Sequence, residues 1–289
     1  MAPLKALART VFKCLPFGAQ VRLARGNPSA AFYIRKRPAR KIQIDYYLDR
    51  YRVEIDTSND IQRRMLSGRY ENDTLAVLKK MVQAGDTCLD IGANIGAITI
   101  ALADLVGSNG RVEAFEPGPV FFTQLQHNLS MNESLKARVG LHQLGLSDKP
   151  GSLKWQESNV YTGTASMYAG VRDGARDTIE LPVVRLDDFE PIRKLPKINF
   201  IKIDVDGLER EILYGARGLL TKHRPRLYFE TTMWNDEMKA AAQDIEKYLR
   251  GLGYKVFKIL NEAGQMAPTN FPNFSFNSVA LHQDDRFQG

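Results

Sequence analysis

One stretch of the chain, residues 86–103, constrains the fold more than any other. Residues 88–91 (CLDI) are typical of a short buried strand, and residues 92–96 (GANIG) form a turn with a glycine at each end. Apolar residues then recur at helical spacing through residues 98–105. Doubly wound α/β folds use this order of strand, glycine turn and helix to place a nucleotide-like ligand against the start of the helix. We therefore predict an α/β domain with a ligand crevice at this turn.

The residues of the turn narrow the choice of ligand. We expect Gly92 to let the chain turn and a ligand approach the backbone, and Gly96 to let the helix lie close to the sheet. Asn94 stands where a dinucleotide fingerprint has its middle glycine, which disfavours a pyrophosphate. Asp90, at the end of the strand, would repel a phosphate but suits an ammonium group. S-adenosylmethionine (SAM) has an ammonium, a sulfonium and no phosphate; the alternative is an ordinary strand-to-helix turn.

Acidic residues farther along the chain favour a nucleoside ligand. Glu116 ends the second predicted strand, about 20 residues beyond the turn, where a carboxylate reaches ribose hydroxyls. Ser147 and Asp148 follow the third predicted strand, and they either accept hydrogen bonds from the adenine amine or support a turn. Glu71 precedes a helix beside the crevice and either faces the ligand ammonium or lies in solvent at the helix start.

The second half of the domain supplies the candidate catalytic residues. Residues 149–185 predict a β insertion, which often forms a lid or a substrate wall. Asp204 ends the fourth core strand and is a candidate general base or ligand of a hard divalent cation, with a helix cap as the alternative. Glu230 ends the fifth strand, and together with Trp234 it is a candidate contact to the substrate. No residue is assigned to a metal.

Composition and the first segment set the context. The 289 residues are 44% hydrophobic and 25% charged with a net charge of +7, which is typical of a globular protein. The two cysteines, Cys14 and Cys88, make no disulfide framework, so we expect a reducing, cytoplasmic setting.

Residues 4–15 have an apolar face beside basic residues, which predicts a helix docked on the domain or, alternatively, one in peripheral contact with a membrane. Residues 35–37 (RKR) are predicted to be a solvated loop, and residues 41–55 a β-hairpin.

Other polar residues are predicted outside the site. Asp60 is expected to cap a short helix. His127, Asn128 and Glu209 are expected on the wet faces of their helices, and His282 on the surface.

The order of these motifs resembles that of the FkbM-type family of SAM-dependent methyltransferases. The matching pieces lie within about residues 60–285 and are residues 70–71 (YE), 89–96 (LDIGANIG), 115–117 (FEP), 145–148 (GLSD), 184–188 (VRLDD), 200–216 (FIKIDVDGLEREILYGA) and 225–230 (PRLYFE). Where the family often has Asp-Val-Glu-Gly, this chain has Asp204-Val-Asp-Gly207.

The resemblance implies a Rossmann-like sheet of seven strands with SAM as cofactor. It also implies methylation of an oxygen on a small molecule or glycan, with cofactor binding by Asp90, Gly92 and Glu116 and with Asp148 nearby. In this interpretation residues 1–56 are an N-terminal extension, and residues 57–289 are the methyltransferase domain with its β insertion before the fourth core strand.

Three other functions are weighed against this one. Enzymes that methylate nucleic-acid base amines usually have Asn/Asp-Pro-Pro-Tyr/Phe after the fourth strand, where this chain has residues 204–207 (DVDG). A nicotinamide dehydrogenase is disfavoured by Asn94. A non-catalytic SAM-binding or scaffold protein is disfavoured by the presence of both Asp90 and Glu116, and only an assay of turnover separates it from an enzyme.

Overall fold

A computed structural model supplies the structure of the protein. It describes residues 12, 15, 17–25, 27, 34, 40–68, 70–156, 178–205, 207–231, 236–269 and 277–287. The chain divides into two compact units, and the described part of the first ends at Glu71. The helix predicted at residues 4–15 lies outside the described residues except for Phe12 and Leu15, and so does the basic loop at residues 35–37.

The first unit is built on an antiparallel hairpin. Its elements are α1 (Phe17–Ala24), β1 (Lys41–Tyr47), β2 (Tyr51–Asp56), α2 (Asp60–Arg64) and a 3-10 turn (Met65–Ser67). The hairpin predicted from alternating apolar residues is therefore confirmed, with Ile42 opposite Ile55. The prediction that Asp60 caps the helix is wrong, since the preceding Asn59 accepts the N–H groups of Ile61 and Gln62, each at 3.0 Å.

The second unit begins at Asn72 and contains the main sheet. Its elements are α3 (Asn72–Met81), β3 (Thr87–Ile91), α4 (Ala97–Leu105), β4 (Arg111–Phe115), α5 (Pro119–Ser130), α6 (Glu133–Lys136), β5 (Val139–His142), β6 (Gly145–Leu146), β7 (Gly151–Gln156), β8 (Thr178–Val184), a 3-10 turn (Leu186–Asp188), α7 (Glu190–Arg193), β9 (Phe200–Ile203), α8 (Glu209–Gly215), α9 (Arg217–His223), β10 (Arg226–Glu230), α10 (Asp236–Gly251), β11 (Tyr254–Ile259), β12 (Met266–Pro268) and β13 (Asn277–His282).

The main sheet has the order β12-β11-β13-β10-β9-β3-β4-β5. The strands from β10 to β5 are parallel, and β13, β11 and β12 close the sheet with antiparallel pairing. The α/β class and the antiparallel end agree with the prediction, and within the described residues this sheet has eight strands where seven were predicted. The extra strand, β12, is a three-residue edge strand whose pairing with β11 gives too short a pattern to predict.

Apolar side chains cover both faces of the parallel strands. On one face, Ile201 and Phe229 belong to the same buried cluster as Ile212 of α8 and Leu249 of α10. On the other face, the smaller Ala114 packs with Phe122 and Leu125 of α5. Burial on both faces explains the nearly continuous apolar runs of these strands, and it leaves the strand ends as the place for polar chemistry.

The predicted β insertion forms a small sheet of its own. Strands β6, β8 and β7 pair in that order, with β8 parallel to β6 and antiparallel to β7. Residues 157–177 between β7 and β8 are outside the described residues, so its role as a lid stays a prediction.

Surface predictions for Asn128 and His282 in this unit are wrong. Asn128 is fully buried, because its face of α5 meets the glycine turn rather than solvent. His282 is also buried, and its Nδ1 atom accepts the N–H of Asp284 at 3.2 Å. Helical or strand position in the sequence shows which residues share a face but not what that face meets. Among the helices that the structure describes, none is long and apolar enough to cross a membrane.

Candidate active site

The carboxyl ends of three parallel strands form the candidate site. In the sheet, β3 lies between β9 and β4, with Asp90 opposite Lys202 on one side and opposite Ala114 on the other. The residues that follow these strands are Gly92, Asp204 and Glu116, which the parallel arrangement places at one edge. The ligand crevice of an open α/β sheet lies at this edge.

The glycine turn has a left-handed backbone at three residues. The φ angles are 78° at Gly92, 51° at Asn94 and 88° at Gly96. Asparagine adopts this region more readily than most residues with a side chain, so the left-handed backbone at position 94 does not require a glycine. A methyl group on Gly92 would lie 1.9 Å from the carbonyl oxygen of Asp204. The Cβ side of Gly92 is therefore occupied by the protein's own main chain, and the approach of a ligand to the backbone of Gly92 stays a prediction.

Helix α5 fixes the far end of the turn. A methyl group on Gly96 would lie 2.5 Å from Cδ1 of Leu125, so this glycine permits close packing against helix α5. The prediction that Gly96 lets the following helix lie close to the sheet stays a prediction. Next to Gly96, the Asn128 side chain donates its Nδ2–H to the carbonyl oxygen of Ile95 at 2.8 Å. Asn128 is thus a supporting residue of the site that the sequence analysis missed.

Asp90 is fully buried, with 0% of its surface exposed. Its Oδ2 atom accepts the hydroxyl of Thr99 at 2.6 Å. Its Oδ1 atom accepts no hydrogen bond from the residues that the structure describes and lies 3.4 Å from Nζ of Lys202. A buried carboxylate requires such a cation, because burial of an isolated charge is very costly. Direct contact of Asp90 with a ligand ammonium stays a prediction.

Lys202 is a second residue of this site that sequence reasoning missed. Only 3% of its surface is exposed, and its Nζ donates to the carbonyl oxygen of Gly92 at 2.8 Å. The same atom lies 3.5 Å from Oδ2 of Asp204, so one ammonium faces two carboxylates. A signal was present, since a lysine in the middle of the buried strand Phe200–Ile203 needs charged or polar partners close by.

Glu116 is held by the backbone of the neighbouring turns. Its Oε2 accepts the N–H of Asn94 at 2.8 Å, and its Oε1 accepts the N–H of Gly118 at 2.9 Å. Burial, which leaves 5% of the residue exposed, raises the pKa of Glu116 to about 7, although both N–H donors and Lys202 act in the opposite direction. Two oxygens with about four lone-pair sites keep capacity for further donors such as hydroxyl groups.

Asp204 is the most accessible of these carboxylates, with 35% of its side chain exposed. Glu209 supports the turn that follows it by accepting the N–H groups of Val205 at 3.2 Å and Gly207 at 3.1 Å. The prediction that Glu209 lies on the wet face of its helix is wrong: the residue is 4% exposed, because its carboxylate folds back onto this turn. Burial raises the pKa of Glu209 to about 7.

Ser147 and Asp148 lie beside the small sheet. The N–H of Ser147 donates to the carbonyl oxygen of Val184 at 3.0 Å, and its hydroxyl donates to Asp148 at 3.3 Å. A methyl group on Gly215, at the end of α8, would lie 2.1 Å from the carbonyl oxygen of Ser147. These contacts support the turn, and the predicted contact with an adenine amine stays a prediction.

The remaining predicted residues have less structural context. Glu230 is half-buried at the end of β10, opposite Asn277 of β13. Trp234 lies outside the described residues, and so does Asp206, the residue at which the chain departs from the Asp-Val-Glu-Gly pattern of the family. Glu71 has a left-handed backbone with φ of 51° and belongs to the first unit. The roles of Glu230 and Glu71 stay predictions.

The metal-ligand interpretation of Asp204 finds no support in the described part of the chain. No group of three or more His, Cys, Asp and Glu side chains suited to a metal ion occurs among those residues. Hard divalent cations are bound by several oxygen ligands, so one carboxylate does not make such a site.

Comparison with known proteins now adds to this geometry. The sequence model of the FkbM methyltransferase domain matches residues 90–256, which include Asp90, Glu116 and Asp204. The chain belongs to the FkbM methyltransferase family. SAM is the cofactor that this family implies.

Two relatives and one solved structure show how far the similarity reaches. The hexuronic acid methyltransferase AglP of Haloferax volcanii is 27% identical over 152 residues, which are 53% of this chain and 59% of AglP. The 31-O-demethyl-FK506 methyltransferase FkbM of Streptomyces tacrolimicus is 29% identical over 203 residues, covering 61% of this chain and 75% of that protein. The crystal structure of methyltransferase FkbM from Methylobacillus flagellatus matches with a TM-score of 0.50 at 16% identity, over 77% of this chain and 52% of the other.

The residues at the strand ends fit the cofactor that the family implies. Glu116 retains lone pairs for a vicinal diol while two N–H groups fix its orientation. Asp90, Lys202 and Asp204 together carry one net negative charge, which complements a ligand with one net positive charge. SAM, with a carboxylate, an ammonium and a sulfonium, is such a ligand.

Proposed function

We propose that this FkbM-family protein transfers the methyl group of SAM to a hydroxyl oxygen of a small molecule or glycan. The observation that carries the proposal is the pair of carboxylates Glu116 and Asp204, at the ends of the two strands that flank β3 and its glycine turn. Glu116 lies where the ribose of SAM is expected, and the partly exposed Asp204 is open to a second molecule. The names of two relatives support the acceptor class, since one specifies a hexuronic acid and the other a compound lacking a methyl group on an oxygen.

The residues have separate tasks in this proposal. When bound, SAM supplies an electrophilic methyl group for in-line displacement by the acceptor oxygen. Glu116 accepts the hydroxyl groups of the ribose and so fixes the cofactor. Asp204 takes the proton of the acceptor hydroxyl, whose own pKa is far above neutral. Much of the acceleration would come from holding both reactants in position.

The first test is binding. Calorimetry of the purified chain should show binding of SAM and no binding of NAD. Glu116→Ala should abolish or strongly weaken SAM binding, while Glu133→Ala, which removes an exposed carboxylate from α6, should leave it unchanged. Absence of SAM binding by the natural chain would refute the proposal, and binding of NAD alone would favour a dehydrogenase.

The second test is transfer. Radiolabelled SAM is supplied with hexuronic acid glycosides and with 31-O-demethyl-FK506, the acceptor types named for the relatives. We expect label on an acceptor oxygen and at least a hundredfold loss with Asp204→Asn, in the range for loss of a general base. SAM binding without transfer to any acceptor in a wider panel of hydroxyl compounds would favour the non-catalytic alternative.

The proposal also covers the cellular location of the protein and the role of the first segment, residues 4–15. Cys88 is a free, buried thiol, which supports the reducing, cytoplasmic setting. Peripheral membrane contact through residues 4–15 is the less favoured interpretation of that segment, and sedimentation with anionic vesicles tests it. The boundary between residues 56 and 57 stays a prediction as well.

A further inference from the structure

Lys202 lies between two carboxylates of unequal exposure. Its Nζ is 3.4 Å from Oδ1 of the buried Asp90 and 3.5 Å from Oδ2 of the partly exposed Asp204. We propose that Lys202 holds this cluster at one net negative charge and thereby sets how strongly the protein prefers SAM over the product S-adenosylhomocysteine. The inference rests on the proposed function, and it makes Lys202 a specificity-determining residue.

The sheet order places this cluster beside the charged half of the cofactor. Glu116, the proposed ribose ligand, follows β4, and the cluster lies at the ends of β3 and β9. With the ribose at Glu116, the adenine at Ser147 and Asp148 and the ammonium at Asp90, as the sequence predicts, the amino-acid half of SAM would extend toward the ends of β3 and β9. That half contains the sulfur, the ammonium and the carboxylate.

The two ligands differ by one charge in this half. SAM carries one net positive charge near neutral pH, whereas S-adenosylhomocysteine has lost the sulfonium charge and is neutral overall. A site with net negative charge therefore attracts SAM more than the product. Because Asp90 and Lys202 are buried, changes of charge within the cluster are screened less than they would be in water.

A purely structural lysine would act differently. Lys202 also donates to the carbonyl oxygens of Gly92 at 2.8 Å and Ile91 at 3.4 Å, so its removal disturbs the glycine turn. Such a disturbance weakens binding of both ligands alike, since both contain the same nucleoside and amino acid. The ratio of the two dissociation constants separates charge from structure.

The experiment measures the Kd of SAM and of S-adenosylhomocysteine by calorimetry at pH 8, where carboxylates are ionised. Lys202→Met makes the cluster more negative and should raise the ratio of the product Kd to the SAM Kd by about fivefold. Asp204→Asn makes it neutral and should lower the ratio by about fivefold. The double variant Lys202→Met with Asp90→Asn keeps one negative charge and should keep the natural ratio. Lys255→Met, at an exposed position on β11, is the control.

The outcomes distinguish this inference from the proposed function. If the natural chain does not bind SAM, the proposed function fails and the inference fails with it. If the natural chain binds SAM but Lys202→Met and Asp204→Asn raise both constants together at an unchanged ratio, the inference alone is overturned. If Lys202→Met does not fold, Asp204→Asn and the double variant decide, because equal ratios for these two would overturn the inference.

Discussion

Replacement of Gly92 by alanine tests whether the glycine turn is fixed by the protein's own packing. The left-handed backbone, with φ of 78°, costs an alanine about 1–2 kcal/mol. The new methyl group would also lie 1.9 Å from the carbonyl oxygen of Asp204 and 2.9 Å from its carbonyl carbon, so the main chain must move. Overpacking of this kind costs about 1–3 kcal/mol. We expect the free energy of unfolding to fall by about 2–5 kcal/mol, the sum of these two costs.

Gly85→Ala is the matched control for this prediction. Gly85 has a similar φ of 90°, but a methyl group there would have no atom within 4 Å. Gly85→Ala therefore has the backbone cost without the steric overlap, and it should lower the free energy of unfolding by about 1–2 kcal/mol. Urea unfolding of both variants gives the difference, and calorimetry with SAM shows whether displacement of Asp204 disturbs the site. Equal stability of the two variants, with SAM binding unchanged in Gly92→Ala, would refute the packing explanation.

Three further predictions concern buried polar groups. Thr99→Val should lower the free energy of unfolding, measured with urea, by about 1.5–3 kcal/mol, because the charged Asp90 carboxylate loses a hydrogen bond. The control Thr221→Val, at an exposed position, should lower it by less than about 1 kcal/mol. Lys202→Met should cost about 3–5 kcal/mol by leaving Asp90 unpaired, and adding Asp90→Asn should recover most of the loss of thermal stability; no recovery would contradict the pairing. The pKa of Glu209 is raised from 4.5 to about 7 in the folded chain, so its contribution is present below pH 4.5 and lost as the pH rises through 7. Glu209→Gln should therefore flatten the fall of stability between pH 5 and pH 8 by up to about 3 kcal/mol, and an unchanged slope would contradict this.

Local patterns predicted the part of the site that depends on chain order. The strand before Gly92, the helix after Gly96 and the strand before Glu116 are each short periodic segments bounded by turn residues. Once such strands are parallel neighbours, their carboxyl ends must meet, so Glu116 and Asp204 could be assigned to one edge without coordinates.

Contacts between distant parts of the chain account for what was missed. The sequence pattern shows Lys202 only as one residue of an apolar strand, and it does not show that Lys202 lies opposite Asp90 in the sheet register. Helical spacing predicts solvent-exposed faces for Glu209 and Asn128, because it defines a face of the helix but not what that face packs against. In the folded chain these faces meet the turns after β9 and β3, whose N–H and C=O groups they satisfy. Polar residues within otherwise apolar elements were therefore the signal to follow.

The two aspartates at the ends of β3 and β9 show why such contacts decide function. In the sequence, Asp90 and Asp204 are alike, since each ends or follows an apolar strand and each is a candidate for a ligand cation. In the structure, Asp90 is closed off from solvent, accepts the hydroxyl of Thr99 and lies 3.4 Å from Nζ of Lys202, whereas Asp204 lies near the same lysine and remains partly exposed. A buried carboxylate is closed to a second molecule, whereas a partly exposed one can meet a second molecule or exchange a proton. Because the same lysine lies close to both carboxylates, it is their difference in exposure that makes Asp204 the better candidate for the chemical step.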